Sequence, residues 1–154
     1  MRRLFALLAV LALVAAACGD DDAATTTTAD DGDAVVMSPA EVVFEEQTSD
    51  GTTIVVDTIT LPSPGFIAVH GNADGSPGPV IGHSQLLDAG TQSNVAVTLD
   101  QPLESSDLVF PMAHIDVNGN GEYEFFPPDT TIDGPAMTAD GEVAVTGARV
   151  EVQG

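Results

Sequence analysis

Apolar residues recur along this chain with a period of two. The runs TTIVVDTITL (52–61), GFIAVHG (65–71), NVAVTLD (94–100), DLVFPMAHIDV (107–117) and EVAVTGARVEV (142–152) are rich in Val, Ile and Thr. Alternation with β-branched residues marks half-buried strands. No apolar stripe of useful length appears at helical spacing; SQLLDAG (84–90) has room for one turn. Asp50-Gly51 and Asp140-Gly141 suit tight hairpins, because Gly takes positive φ freely and Asp tolerates it. The Gly- and Pro-rich HGNADGSPGP (70–79) reads as a longer loop. Short strands at this spacing predict an all-β fold, a small antiparallel β-sandwich of immunoglobulin-like type. In the last run Val143 and Val145 share one face, whereas Val150 and Val152 have the opposite parity. A β-bulge near Gly147 would keep all four inside.

The two ends of the chain differ sharply in character. MRRLFALLAVLALVAAACGDDD begins with Arg2 and Arg3, runs apolar from Leu4 to Ala17, and reaches a single cysteine. That run is too short to span a bilayer comfortably and is bounded like a signal peptide. Ala15-Ala16-Ala17-Cys18 resembles the lipobox of bacterial lipoproteins, which more often has Leu three residues before the cysteine. The resemblance implies cleavage after Ala17 and a diacylglyceryl chain on the Cys18 sulfur, so that residues 1–17 are removed. Two acyl chains would hold the protein to the membrane, each buried methylene contributing about 0.8 kcal/mol. Residues 18–40 are mostly Asp, Ala, Thr and Gly and have little to bury, so they are expected to form a disordered acidic, Thr-rich linker. As a flexible coil it would reach about 25 Å on average. Residues 41–154 are then enough for one domain with a real core.

Charge narrows the partners. The chain has 3 Lys and Arg against 24 Asp and Glu, a formal charge of −21. Loss of the leader removes Arg2 and Arg3 and no acid, which leaves Arg149 as the sole strong base. Nucleic acid and anionic lipid surfaces need positive charge and are excluded as partners. The membrane is expected to be met through lipid on Cys18, and an envelope protein, a glycan or a cation at the acidic surface. Such a composition suits a halophile or an extracellular setting equally.

Three groups of residues carry candidate chemistry. HIDVNGNGEYEF (114–125) sets Asp116, Asn118 and Asn120 two apart ahead of Gly121. Oxygens so spaced converge on calcium when the backbone turns sharply at the sixth position, with Glu122 offering its carbonyl and Glu124 at the ninth. The twelfth position, which needs a bidentate Glu, is Pro127, so Glu122, Glu124 or Asp129 would have to complete the shell. Ca2+, weakly bound, is the one cofactor this pattern admits. The same residues serve equally in a hairpin turn whose side chains cap their own backbone, the simpler reading. The second group is His70, His83 and His114, with Met112 nearby, which could hold zinc or copper if they met in space. Blue copper is excluded, since the only cysteine carries lipid. The third, GHSQL (82–86), approaches the nucleophile elbow, but Leu86 stands where its second glycine belongs and no helix follows. No catalytic residue and no enzyme activity are expected.

Taken in order and spacing, TTIVVDTITLPSPGFIAVH, GPVIGHSQLLDAGTQSNVAVTLDQPL and FPMAHIDVNGNGEYEF resemble an uncharacterised acidic domain of exported proteins in haloarchaea and actinobacteria. The likeness covers roughly 41–153. It implies a small all-β surface domain, found alone or attached to larger envelope proteins, and no catalytic residues. The expectation is therefore an exported, lipid-anchored protein with a non-enzymatic binding or structural domain on the outer face of the membrane or envelope. The alternative is an accessory metal-binding lipoprotein that uses the 116–124 loop.

Overall fold

The computed structural model describes residues 38–127 and 131–153. The expected leader, Cys18, the linker up to residue 37 and Asp129 lie outside the described residues. Eight strands follow in order: β1 (Glu41–Val43), β2 (Gln47–Ser49), β3 (Thr53–Leu61), β4 (Gly65–Ala73), β5 (Ser76–His83), β6 (Gly90–Thr98), β7 (Asp107–Ile115) and β8 (Ala148–Val152). They form a three-stranded sheet, β1-β3-β6, and a five-stranded sheet, β2-β8-β7-β4-β5. No helix occurs among the described residues, so the β-sandwich expected from the period-two pattern is the fold. SQLLDAG, given room for a helical turn, makes a β-bridge from Leu87 to Gly65 instead. One pairing is not antiparallel: β2 runs parallel to β8, with Gln47 opposite Val150 and Ser49 opposite Val152.

The main core lies between the sheets. Ile54, Val56, Ile59, Leu61 and Val97 of the small sheet meet Ile67, Val69, Val109, Ala113 and Val150 of the large one. Each such aliphatic side chain, fully buried, contributes about 1.5–3 kcal/mol. Ala40, just ahead of β1, is buried and donates its amide to the Met137 carbonyl. Along β3 the inward parity changes from Ile54 and Val56 to Ile59 and Leu61. The β3–β6 register skips Asp57 and Asn94, and Asn94 has φ +56°, so both strands kink together and the register is kept.

β4 and β7 are buried on both faces, and this positions the site. Their inward residues enter the main core. Their outward residues are Phe66, Ala68 and His70 on β4 and Phe110, Met112 and His114 on β7, paired as Phe66–His114, Ala68–Met112 and His70–Phe110. Tyr123 and Phe125, from the chain that leaves β7, lie over this outer face and touch His114. The sandwich thus has a second, aromatic core outside its larger sheet.

Several turns differ from the sequence reading. Residues 70–79 are not a long loop: β4 runs on to Ala73, and Asp74 (φ +55°) and Gly75 (φ +83°) close a two-residue hairpin onto Ser76. The Asp-Gly pair is the signature of that turn; the flanking Gly and Pro residues masked it. Asp50-Gly51 does not close a hairpin, because β2 and β3 belong to different sheets; it carries the chain across. Asp140-Gly141 does turn tightly, with Gly141 N–H donating to Thr138 O and Thr138 N–H to Glu142 O. No bulge at Gly147 reconciles the last valines. Ala144 is buried and Val143 is exposed, so Ala144, Ala148 and Val150 enter the core with one continuous parity. Gly147 faces outward, where a Cβ would collide with the Phe110 ring.

The free edge of the larger sheet is blunted, and so is the part of β3 that β1 leaves unpaired. β5 carries Pro77 and Pro79 on the free edge of the larger sheet. On β3, the Gln47 carboxamide donates to Val55 O and accepts from Val55 N, and Ser49 Oγ donates to Thr53 O. Two side chains of β2 thus occupy backbone groups that another strand would otherwise pair.

Candidate functional site

The three histidines, far apart in sequence, come together on the outer face. His70 and His114 stack with ring centroids 6.0 Å apart and planes at 24°. His83 stacks on Tyr123 at 4.6 Å. Tyr123 meets His114 edge-on at 5.5 Å, and Phe125 does so at 4.6 Å. Beside them opens a pocket of about 560 Å3 lined by His70, His83, Tyr123, Phe125, Phe126 and Asp100, among others. Phe126 stands 70% exposed at its edge.

Local backbone explains how each imidazole is held. The β4–β5 register shifts on either side of His70, so β5 carries extra residues there. Bulges re-aim backbone and side chains. Here the Gly78 carbonyl accepts from His70 Nδ1 at 2.7 Å. His114 Nδ1 donates to the Asp133 carbonyl at 2.6 Å, and His83 Nδ1 to the Ser84 carbonyl at 2.9 Å. A carbonyl only accepts, so all three rings carry their proton on Nδ1 and, when neutral, a lone pair on Nε2. Asp133 (φ +49°) is fully buried, and its Oδ2 accepts from the Glu124 amide at 2.6 Å. One residue therefore fastens both His114 and the covering segment.

Burial governs the electrostatics. It pushes the His114 imidazole down to about 4, against the opposing effect of its hydrogen bond to the Asp133 carbonyl, with His70 adding to the depression. His70 is lowered for the same main reason. The Tyr123 phenol is pushed up by burial and by the Asp133 charge. At neutral pH His70 and His114 are therefore neutral, as is the Tyr123 phenol.

The 116–124 loop is built as a turn. Asp116 Oδ1 accepts from Gly119 N and Oδ2 from Gly121 N; Asn118 Oδ1 accepts from Asn120 N, and Asn120 Oδ1 from Glu122 N. Gly119 and Gly121 take φ +69° and +76°. Asn118 and Asn120 turn their amide nitrogens, not their oxygens, to Glu124 Oε2, at 2.7 and 2.6 Å. Of the five candidate ligands, Asn118, Asn120 and Glu124 meet through their side chains, Asp116 caps the loop's own amides, and Glu122 contributes its backbone amide. Among the described residues no three His, Cys, Asp or Glu side chains form a ready metal-ligand group. Replacing Asp116 by Ala removes two caps and should lower stability by about 1–3 kcal/mol. We expect the same loss in chelator and in millimolar calcium. A calcium-specific rise in the wild-type midpoint that disappears in Asp116→Ala would instead establish the ion site. Ser84, at the nucleophile-elbow position, accepts the Ile67 amide on its hydroxyl, and the imidazole of His83 bonds its carbonyl rather than that hydroxyl.

Tyr123, Phe125 and Asp133 belong to the site but stood out in no motif. The signal that could have found them is the double-sided apolarity of GFIAVH and FPMAHI, since a strand buried on both faces needs a cover. A family model described as "Domain of unknown function (DUF7282)" matches residues 40–151, the span that holds both cores and this cluster. The chain belongs to that family. This DUF7282 domain is 42% identical over 113 residues, 73% of the chain, to "Cell surface glycoprotein 2" of Haloarcula hispanica. It is 41% identical over 109 residues, 69% of the chain, to "Cell surface glycoprotein 1" of the same organism. The matched region spans 12% of the length of each of these relatives. No solved structure matches the chain.

Proposed function

We propose that the protein is an exported envelope component, a β-sandwich carried on a lipid-anchored acidic linker, with a non-enzymatic binding or structural role at the cell surface. The observation that carries this reading is the 42% identity to a protein named as a cell surface glycoprotein. Three features support it. The chain opens with a leader-like segment ending at its single cysteine. The charge of −21 favours solubility and repels anionic surfaces. The histidine cluster sets no nucleophile against an imidazole among the described residues, and each Nδ1 is committed to a carbonyl.

Replacing Cys18 by Ser in the producing cells tests the tether. The wild-type chain should sediment with membranes, dissolve in detergent, and be cut by protease added to intact cells. The variant should leave the membrane fraction and collect in the medium. A variant that stays membrane-bound would refute lipid on Cys18, and a wild-type chain shielded from protease until lysis would refute surface exposure.

A further inference from the structure

We propose that the outer-face cluster binds a late first-row divalent ion, Cu2+ most tightly, through Nε2 of His70 and His114. His70 is 6% exposed and His114 is fully buried, yet neither Nε2 has a hydrogen-bond partner. Tyr123 Oη and Asp133 Oδ1 are likewise buried without partners in the same cluster. A buried polar atom left unpaired costs about 1–3 kcal/mol, so four together in one cluster point to an occupant.

The chemistry of the four atoms indicates a cation. Two are imidazole lone pairs, fixed as acceptors by the carbonyls at Gly78 and Asp133. Metal-binding histidines are commonly oriented this way, the second ring N–H donating to a carbonyl. A third is an oxygen of Asp133, a carboxylate with no exposure and no ion pair; the one ion pair among the described residues joins Arg149 to Glu151. Among the described residues the one Lys or Arg is Arg149, which pairs with Glu151, so no described basic side chain is left to balance that charge.

The separation of the two rings is within the span of one shared ion. With metal–nitrogen bonds of about 2.0–2.1 Å, two imidazoles on opposite sides of an ion place their centroids up to about 6.4 Å apart. His70 and His114 lie at 6.0 Å. Asp133 is not gathered with them as a third direct ligand, so its charge compensates from nearby, and Tyr123 Oη or water completes the shell. Imidazole donors favour copper, nickel and zinc over calcium or magnesium, and among the divalent ions the order of affinity peaks at Cu2+. The pocket beside His70 supplies the way in.

Tyr123 is the only tyrosine and the chain has no tryptophan, so its fluorescence reports on this cluster alone. Titrating CuCl2 into the chelator-stripped full chain should quench Tyr123 at one equivalent, and the electron paramagnetic resonance spectrum should show two coupled nitrogens. His70→Asn and His114→Asn should each weaken binding at least as much as loss of an outer-shell partner does, about 10–100-fold, and remove one nitrogen coupling. Glu104→Gln, at an exposed carboxylate outside the cluster, should change neither. Circular dichroism checks that each variant folds, and His70→Asn, at the pocket wall, carries the test if His114→Asn does not. Calcium should neither quench Tyr123 nor displace copper, which separates this site from the 116–124 loop. No binding by the folded wild-type chain, or a two-nitrogen spectrum that survives in folded His70→Asn, would overturn the proposal.

Discussion

Lowering the pH from 7 to 4 should cost the metal-free domain roughly 3 kcal/mol through His114 alone. The imidazole stands at about 4 in the folded state and at the ordinary 6.5 in the unfolded chain. Between those values the unfolded chain binds the proton and the folded one does not, so stability falls with falling pH. The contribution is complete above pH 6.5, declines through that window, and levels off below about 4. Each pH unit within it is worth about 1.4 kcal/mol, against a typical total of 5–15 kcal/mol for a domain. His70, lowered in the same direction, adds to the loss. Protonation of surface carboxylates works the other way by relieving repulsion in a chain of charge −21. The measurement is therefore a difference: urea midpoints at pH 7.0, 5.5 and 4.5, in chelator, for wild type and His114→Asn. Asparagine can still offer an amide hydrogen towards the Asp133 carbonyl but does not titrate. The variant should be weaker at pH 7 and its stability should depend less on pH. Parallel pH profiles for the two proteins would show that His114 is not the acid-sensitive group.

Gly65→Ala should be at least as damaging, and at every pH. A Cβ there falls well inside contact distance of the His114 carbonyl oxygen, with the His114 carbonyl carbon and Ile115 Cα each at 3.1 Å. These are backbone atoms at the end of the β4–β7 ladder, where Gly65 pairs with Ile115 and also bridges Leu87. No side chain can swing aside, so the strands must separate beside both cores. A loss of about 3 kcal/mol or more is expected, at the upper end of the range for overpacking. Gly119→Ala makes the contrast. It has φ +69° but nothing within 4 Å of a Cβ, so it should cost only the left-handed backbone penalty, about 1–2 kcal/mol. If the two variants melted alike, close approach at Gly65 would not be what limits the fold.

The parts of this architecture that follow from local alternation were readable before the structure. The runs at 52–61 and 107–117 became β3 and β7 because their inward residues recur at every second position. What escaped was set by contacts distant in sequence. β1 and β2 are three residues each, too short for a periodic signal, and exist because β3 and β8 offer them partners. In the last run the valines suggested the inward face, but Ala144 took it; residue size misled where the chain already had a continuous parity. Of the site, His70, His83 and His114 were visible as candidates, and their meeting was not. It depends on the β4–β7 pairing and on bulges in β5 that turn Gly78 towards His70. Asp133 looked like one acid among 24 until the fold buried it.

The parallel pairing of β2 with β8 has a mechanical consequence. These strands lie close to the beginning and the end of the domain, and Gln153 N–H extends their ladder to Ser49 O. A pull that draws the two ends apart runs along both strands in opposite senses. It therefore loads their hydrogen bonds together, in shear, where an antiparallel pair pulled from adjacent ends would open one bond at a time. Drag transmitted along an envelope chain through this domain would meet its stiffest direction first.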